Sequence, residues 1–311
     1  MRIKKPYFWD LPKPNIISYF LIPLSIPIIV RNFFLKFIKK KKSSNIKTIC
    51  IGNIYIGGTG KTTLTIKVYE ILNELNKKIA TVKKDYYDQK DEQSLLEEKT
   101  CLIISKSRDK AIEQGIKQNY KVLIFDDGLQ DAKIDYDLKF VCFKSNNWIG
   151  NGLYIPAGPL REKVSSLKKF DAVFLNGNSD GIESIKYQIK KINPKIRIFI
   201  THYKISNIDK YDLNSKYLIF SAIGDPLSFK NILLENNFDI SKELIFSDHY
   251  NYSHKDIEKI QNIAKKNNLR IITTEKDYVK IPDKLKDNIN YLSIDLSIQN
   301  ESELIDLLKK I

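Results

Sequence analysis

Thr48-Ile49-Cys50-Ile51-Gly52-Asn53-Ile54-Tyr55-Ile56-Gly57-Gly58-Thr59-Gly60-Lys61-Thr62-Thr63 decides the fold. An apolar run of buried-strand character leads into a glycine loop, then Lys-Thr, then a helix-like stretch over residues 64–75. Glycines let backbone N–H groups approach a polyphosphate closely, and a helix N-terminus adds the positive end of its dipole. Gly57, Gly58, Thr59, Gly60, Lys61, Thr62 and Thr63 are therefore the expected cradle for ATP. Lys61 would reach the β- and γ-phosphates, and the Thr62 hydroxyl would ligate Mg2+. The strict G-x-x-x-x-G-K-[ST] pattern fails once, where Tyr55 replaces the first glycine. The strand-loop-helix context separates this loop from a glycine turn with a surface lysine.

Outward from this loop, 311 residues are long for one domain and suit two. A hydrophobic content of 42% can fill real cores. The net charge of +15 suggests an anionic partner, but only six of the basic residues are arginines. Nucleic-acid binders use arginine forks and clustered faces, so no nucleic acid is expected. ATP, phospholipid headgroups or a phosphorylated substrate fit the charge better. Nothing in the sequence points to an obligate protein partner. Cys50, Cys101 and Cys142 lack metal-ligand spacing and sit in apolar runs, which predicts reduced core thiols.

Phe8 and Trp9 precede an uncharged apolar run over residues 19–30, interrupted by Pro23 and Pro27. Phe33, Phe34, Leu35, Phe37 and Ile38 follow, then four lysines from Lys39 to Lys42. The uncharged run is shorter than the ~20 residues a spanning helix needs. An interfacial helix beside anionic lipid is expected, the alternative being a helix packed on the domain.

Downstream the chain alternates apolar strand runs with helical stretches. Strands are expected at 78–82, 100–105, 121–125, 138–143 and 172–175, with a helix at 109–118 and a polar segment at 83–99. A second set has strands at 197–201, 217–221, 244–246, 270–274 and 290–294, with helices at 228–236, 253–266 and 301–311. Such alternation predicts an α/β fold with mostly parallel sheets. The expected parts are an N-terminal segment (1–42), a P-loop domain (43–195) and a smaller C-terminal α/β domain (205–311). A linker falls near 190–205, and the last helix is free to return to the first domain.

Asp126-Asp127-Gly128 closes an apolar strand, where a P-loop protein keeps the carboxylate of its magnesium shell. Two adjacent aspartates there call for a cation. Transfer of a phosphoryl group to an alcohol also needs an acceptor for the hydroxyl proton. Asp91, Asp85, Asp88 and His249 are candidates, and spacing does not choose among them. Residues 151–162 form a rigid Pro/Gly-rich segment whose Arg161 can clamp a phosphate, with Glu162 next to it. Asp248-His249 lies just before a helix capped by Ser253.

Taken in order, five segments resemble the tetraacyldisaccharide 4'-kinases, lipid A pathway enzymes of Gram-negative bacteria. They are Gly52-Asn53-Ile54 with Gly57-Gly58-Thr59-Gly60-Lys61-Thr62, Asp126-Asp127-Gly128-Leu129-Gln130, Pro156-Ala157-Gly158-Pro159-Leu160-Arg161-Glu162, Phe246-Ser247-Asp248-His249-Tyr250 and Thr273-Thr274-Glu275-Lys276-Asp277. The resemblance runs from about residue 15 to 282. It implies an ATP- and Mg2+-dependent kinase at the cytoplasmic face of the inner membrane. Such a kinase phosphorylates the 4'-hydroxyl of a lipid-linked disaccharide, tetraacyldisaccharide 1-phosphate, to give lipid IV-A. It also implies two α/β/α sandwich domains, the first P-loop kinase-like, joined by a short two-stranded linker, with an N-terminal helix touching the membrane.

By position, Lys61 and Thr62 would bind ATP and Mg2+, and Asp126 and Asp127 would serve the metal and the phosphate. Asp91 falls on the family's proposed base and His249 on its histidine, while Arg161 and Glu162 fall on the substrate side. Lys83-Lys84-Asp85-Tyr86 replaces the family's Ser-Arg-Gly-Tyr, Asp131 replaces a histidine, and the proline after Asp91-Glu92 is missing. A membrane-associated P-loop switch ATPase is the alternative function. Residues 156–162 and the Asp248-His249 pair favour the kinase, because a switch requires neither.

Overall fold

The computed structural model describes residues 5–43, 45–85, 90–131, 133–177 and 181–311. Asp88 and Tyr86 lie outside them. With strands numbered in chain order, the larger sheet contains β1 (Lys47–Gly52), β2 (Ile79–Lys84), β3 (Leu102–Ser105), β4 (Val122–Asp126), β5 (Leu138–Lys144), β6 (Ala172–Asn176), β7 (Arg197–Ile205) and β12 (Ile294–Ile298). Its order is β12-β7-β6-β5-β1-β4-β2-β3, and the strands from β7 to β3 run parallel. After β1 the chain moves to one side of it, and after β4 to the other. The carboxyl end of β1 is thus the switch point, where open α/β sheets bind ligands.

Period-two burial explains why the sheet is covered on both faces. Val141 and Phe143 of β5 join Val173 and Leu175 of β6 in a core with Ile185 and Ile189. Alternate residues Phe140, Phe174 and Phe199 contact one another on the opposite side. Cys50, Leu123 and Phe125 pack with Ala80, Val82 and Tyr136 in another cluster.

The smaller sheet contains β8 (Lys216–Ser221), β9 (Asp239–Ile245), β10 (Arg270–Thr274) and β11 (Ile289–Leu292). Its order is β11-β10-β8-β9, all parallel. Leu218 and Phe220 pack against Ile257, Ile260 and Ala264 of α7 (His254–Lys266). Tyr217 and Ile219 pack against Phe229, Ile232 and Leu233 of α6 (Pro226–Glu235). Each body is therefore an α/β/α sandwich.

Among the described residues, one unit comprises 5–85, 100–202 and 296–311, and the other 90–99 and 203–295. The chain leaves and re-enters the first unit on β7 and β12, neighbours in the larger sheet. Two sequence assignments change, those of residues 90–99 and of Cys101, and the last helix takes the return to the first domain that was left open. Residues 90–99 form a helix, α3 (Lys90–Lys99), and belong with the smaller sheet rather than the P-loop body. Lys99 pairs with Glu275 at 2.8 Å and Lys276 with Glu92 at 2.7 Å. The last helix, α9 (Glu301–Leu308), belongs to the larger unit, where Lys67 pairs with Glu301 at 2.9 Å. Cys101 is exposed just before edge strand β3 and is not a core thiol, whereas Cys50 and Cys142 are buried. Burial pushes the Cys142 thiol up to about 12, which keeps it inert.

The N-terminal helix α1 (Ile16–Phe34) is longer than its uncharged run, because it extends to both sides and carries Pro23 and Pro27 internally. At 19 residues it is long and apolar enough to cross a membrane. It is nonetheless tied down through a polar stripe at seven-residue spacing. Ser18 accepts from Asn151 Nδ2 at 3.0 Å, Ser25 donates to the Tyr154 carbonyl at 3.0 Å, and Asn32 donates to the Arg161 carbonyl at 2.7 Å. Ser18 and Ser25 are buried, while Phe20, Leu24, Ile26, Phe33 and Phe34 are exposed.

Candidate functional site

Gly60 ends the glycine loop with φ 83°, a backbone conformation that favours glycine, and α2 (Lys61–Glu74) starts at the next residue. No side chain caps this helix, so its first N–H groups remain available to an anion. Asn53, fully buried, holds the loop by donating to the Gly57 carbonyl at 3.2 Å and to Thr59 Oγ1 at 3.1 Å. Tyr55, in place of a glycine, is buried and bonds to Asp10 and Lys5. The residue that breaks the motif therefore anchors the N-terminal arm beside the loop.

β4 delivers Asp126 to the start of α2. Thr62 Oγ1 donates to Asp126 Oδ2 at 3.2 Å, and Lys83 Nζ donates to the same oxygen at 2.7 Å. Asp126 Oδ1 is buried and accepts no hydrogen bond. A hydroxyl beside an unsatisfied carboxylate oxygen is the hard donor set that suits Mg2+ shared with phosphates. Among the described residues no group of three or more His, Cys, Asp and Glu could hold a metal by itself.

Asp127 takes the left-handed conformation, φ 60°, its N–H bonded to the Ile51 carbonyl at 2.8 Å. This turns its carboxylate between two cations, Lys61 Nζ at 4.0 Å and Arg161 NH1 at 3.3 Å. Arg161 also donates to Gln130 Oε1 at 3.3 Å, and Gln130 donates to the Asn53 carbonyl at 2.8 Å. Burial pushes the Glu162 carboxyl above the ordinary carboxylate range, partly offset by Gln130 and nearby cations. Arg108 bonds to the Asp127 carbonyl at 2.5 Å and to Asp131 at 3.1 Å. Lys61, Asp127, Arg161, Gln130, Asn53 and the glycine loop thus form one bonded set, with Glu162 joined through Gln130 at 3.4 Å. Thr62, Asp126 and Lys83 form a second set, which meets it through the chain neighbours Lys61-Thr62 and Asp126-Asp127. Lys61, Lys83 and Arg161 stand beside Asp126 and Asp127 at the loop, cations placed to meet a polyphosphate.

Asp91 and His249 meet elsewhere, in the smaller unit. His249 Nδ1 lies 2.7 and 2.8 Å from the two Asp91 carboxylate oxygens. A carboxylate only accepts, so Nδ1 carries the proton and donates. Asp91 is 3% exposed. Burial works to raise its pKa, but the His249 bond and the charges of Lys276, His249 and Lys280 outweigh it and hold the carboxyl below the ordinary range. His249 has φ 56°, and its N–H bonds to the Ala222 carbonyl at 3.0 Å. Asp85, the remaining described candidate base, sits at the end of β2 with its N–H on the Ser105 carbonyl at 3.0 Å.

Two features escaped the sequence. One is Lys83, the first charge after four buried strand residues and itself buried, whereas Lys84 beside it is only half-buried. The other is the polar stripe of α1, visible as Ser18, Ser25 and Asn32 at seven-residue intervals. Beside the end of α1 lies a cavity of about 590 Å³ lined in part by Arg31, Lys40, Glu162, Lys163, Lys168 and Lys169.

Comparison with known proteins agrees with this architecture. The family model of tetraacyldisaccharide-1-P 4'-kinase matches residues 18–311. The tetraacyldisaccharide 4'-kinase of Pelagibacter ubique is 47% identical, covering 100% of this chain and 99% of the relative. That of Rickettsia bellii is 33% identical over the same shares. The solved structure of LpxK from Aquifex aeolicus, described as an "apo" form in complex with ATP, superposes with a TM-score of 0.72 at 21% identity. It covers 95% of this chain and 99% of its own, so the two share a fold. The chain belongs to the tetraacyldisaccharide-1-P 4'-kinase family.

Proposed function

We propose that this chain is an ATP- and Mg2+-dependent kinase. It transfers the γ-phosphate to the 4'-hydroxyl of tetraacyldisaccharide 1-phosphate, giving lipid IV-A, at the cytoplasmic face of the inner membrane. The observation that carries the proposal is the convergence of Lys61, Thr62, Asp126, Asp127 and Arg161 at the strand ends around the glycine loop. Phosphoryl transfer asks mainly for positioning and charge neutralisation, and this group supplies both. Loop N–H groups and Lys61 hold the phosphates. Thr62 and Asp126 would hold Mg2+, which when bound neutralises charge on the transferred group. Asp127 sets Lys61 and Arg161 in place beside the loop that holds the phosphates.

Asp91 and His249 carry the proton side of the reaction. A proton leaving the acceptor hydroxyl is taken by Asp91, and the His249 Nδ1–H bond fixes the carboxylate that receives it. The acceptor is an anionic amphiphile, and two features suit it: the basic cavity near Glu162 and the exposed apolar side of α1. The polar stripe of α1 supports a helix lying in the interface while docked on its own domain, rather than one crossing alone.

The test uses purified full chain, ATP and the disaccharide 1-phosphate with and without acyl chains. Asp91→Asn is expected to lower transfer by about 10²–10⁴-fold while nucleotide affinity stays unchanged. Unchanged transfer would remove Asp91 from the role of base. Rapid ATP hydrolysis with no acceptor, and no transfer, would favour a switch ATPase.

A further inference from the structure

β2 and β4 are parallel neighbours with Val82 opposite Phe125, so the following residues, Lys83 and Asp126, emerge together at the strand ends. Their side chains are 1% and 0% exposed, and Lys83 Nζ sits 2.7 Å from Asp126 Oδ2. That oxygen is also the one bonded by the Thr62 hydroxyl. A buried carboxylate without a cation is costly, and here the chain itself supplies the cation. The consequence for a metal is electrostatic. A divalent ion approaching Thr62 and Asp126 meets an ammonium already on the carboxylate, with Lys61 and Arg161 also in the network. Without phosphates Lys83 already neutralises the one carboxylate that faces Thr62. With a nucleotide, the phosphates bring the negative charge that a divalent ion needs there.

We propose that Lys83 is a positioning residue, a built-in counter-ion that fixes Asp126 against Thr62 and makes divalent-cation binding depend on prior or simultaneous nucleotide binding. The proposal rests on the phosphate-site reading above and adds a binding order to it. Lys83 would not touch the reacting atoms.

The experiment is Mn2+ titration of the full chain, followed by electron paramagnetic resonance, with and without ADP. Calorimetry of ADP alone runs in parallel. Wild type is expected to bind no Mn2+ saturably without ADP and to bind it with ADP. Lys83→Met, similar in length but uncharged, is expected to bind Mn2+ saturably without nucleotide, at least about tenfold more tightly than the weakest binding the titration of wild type would detect, the scale of removing a unit charge a few ångströms away. Mn2+ should also raise the melting temperature of this variant. Lys83→Arg should behave as wild type, and the double variant Lys83→Met with Asp126→Asn should lose the gained binding. A merely structural lysine would not move these readouts. Saturable nucleotide-free Mn2+ binding by wild type overturns the proposal even if no variant folds. ADP-dependent Mn2+ binding with no gain in Lys83→Met overturns the role of Lys83 alone. Absence of ADP binding by wild type overturns the nucleotide site, and this proposal with it.

Discussion

Replacing Asn151 with alanine tests how firmly the N-terminal arm is fastened to the loop that ends in Arg161. Asn151 is 5% exposed, and its Nδ2 lies 3.1 Å from the Phe8 carbonyl, 3.0 Å from Ser18 Oγ and 3.0 Å from the Ala157 carbonyl. Its Oδ1 accepts from the Leu153 N–H at 3.1 Å. An amide has two donor hydrogens, so three acceptors share two bonds, and the acceptor side adds a third. At about 1 kcal/mol net per bond, the loss is about 3 kcal/mol, or roughly 150-fold in the folding equilibrium. A unit of this size shifts its melting temperature by about 2–4 °C per kcal/mol, giving a drop of about 6–12 °C. Differential scanning calorimetry on the full chain measures it. Asn151→Asp keeps an acceptor, loses both donors and buries a charge, so it should melt no higher than Asn151→Ala. A drop under about 2 °C for Asn151→Ala would refute the hub, since it would place the loss below a single net bond.

Other perturbations reach the site and the surface. Lys61→Ala should lower ATP affinity by at least about tenfold, the worth of one charge-assisted hydrogen bond, and calorimetric titration showing no loss would remove Lys61 from the cradle. Glu162 has a folded-state pKa raised by burial, so its contribution is most favourable below its unfolded pKa and is lost as pH rises through the raised value. Glu162→Gln should therefore raise the melting temperature at pH 7, with the gain shrinking toward pH 4; a gain that grows on acidification contradicts the sign. Phe20→Asp with Phe34→Asp should abolish flotation with anionic vesicles while leaving the melting temperature within about 2 °C, because both side chains are largely exposed.

The parts legible in sequence were those where local pattern and chemistry coincide. The P-loop joins an apolar strand to a helix start, and Asp126-Asp127 follows four buried apolar residues, so the sequence alone places both. Ser253 was expected to cap a helix and does so, within a reciprocal capping box with Asp256. Where tertiary context decides, the sequence misled. α3 is highly polar, and its helical state rests on two buried leucines and on partners distant in sequence, Glu275 and Lys276. The helix α5 (Ile182–Ile192) shows Ile182, Ile185, Ile189 and Ile192 at helical spacing, a signal present but passed over beside the stronger strands. α1 is longer than the uncharged run over 19–30 because the helix also takes in residues 16–18 and continues through Arg31 to Phe34, and neither proline interrupts it. Lys83 looked like part of a drifted motif, and only strand pairing shows that it faces Asp126.

The assignment of residues 90–99 and 296–311 means that chain order and body membership do not coincide. Among the described residues the backbone passes between the two units four times, so no single cut separates them. A fragment starting at residue 203 would carry α9 without Lys67, its partner in the larger unit to which both belong, and would hold His249 without Asp91. The complementary fragment would keep the carboxylate and lose the imidazole. Neither half inherits a complete proton-handling pair, so this kinase cannot be reduced to a detachable nucleotide module plus an accessory domain. Along the chain the two bodies alternate, so duplication or swapping of either one by simple gene fusion would break the other.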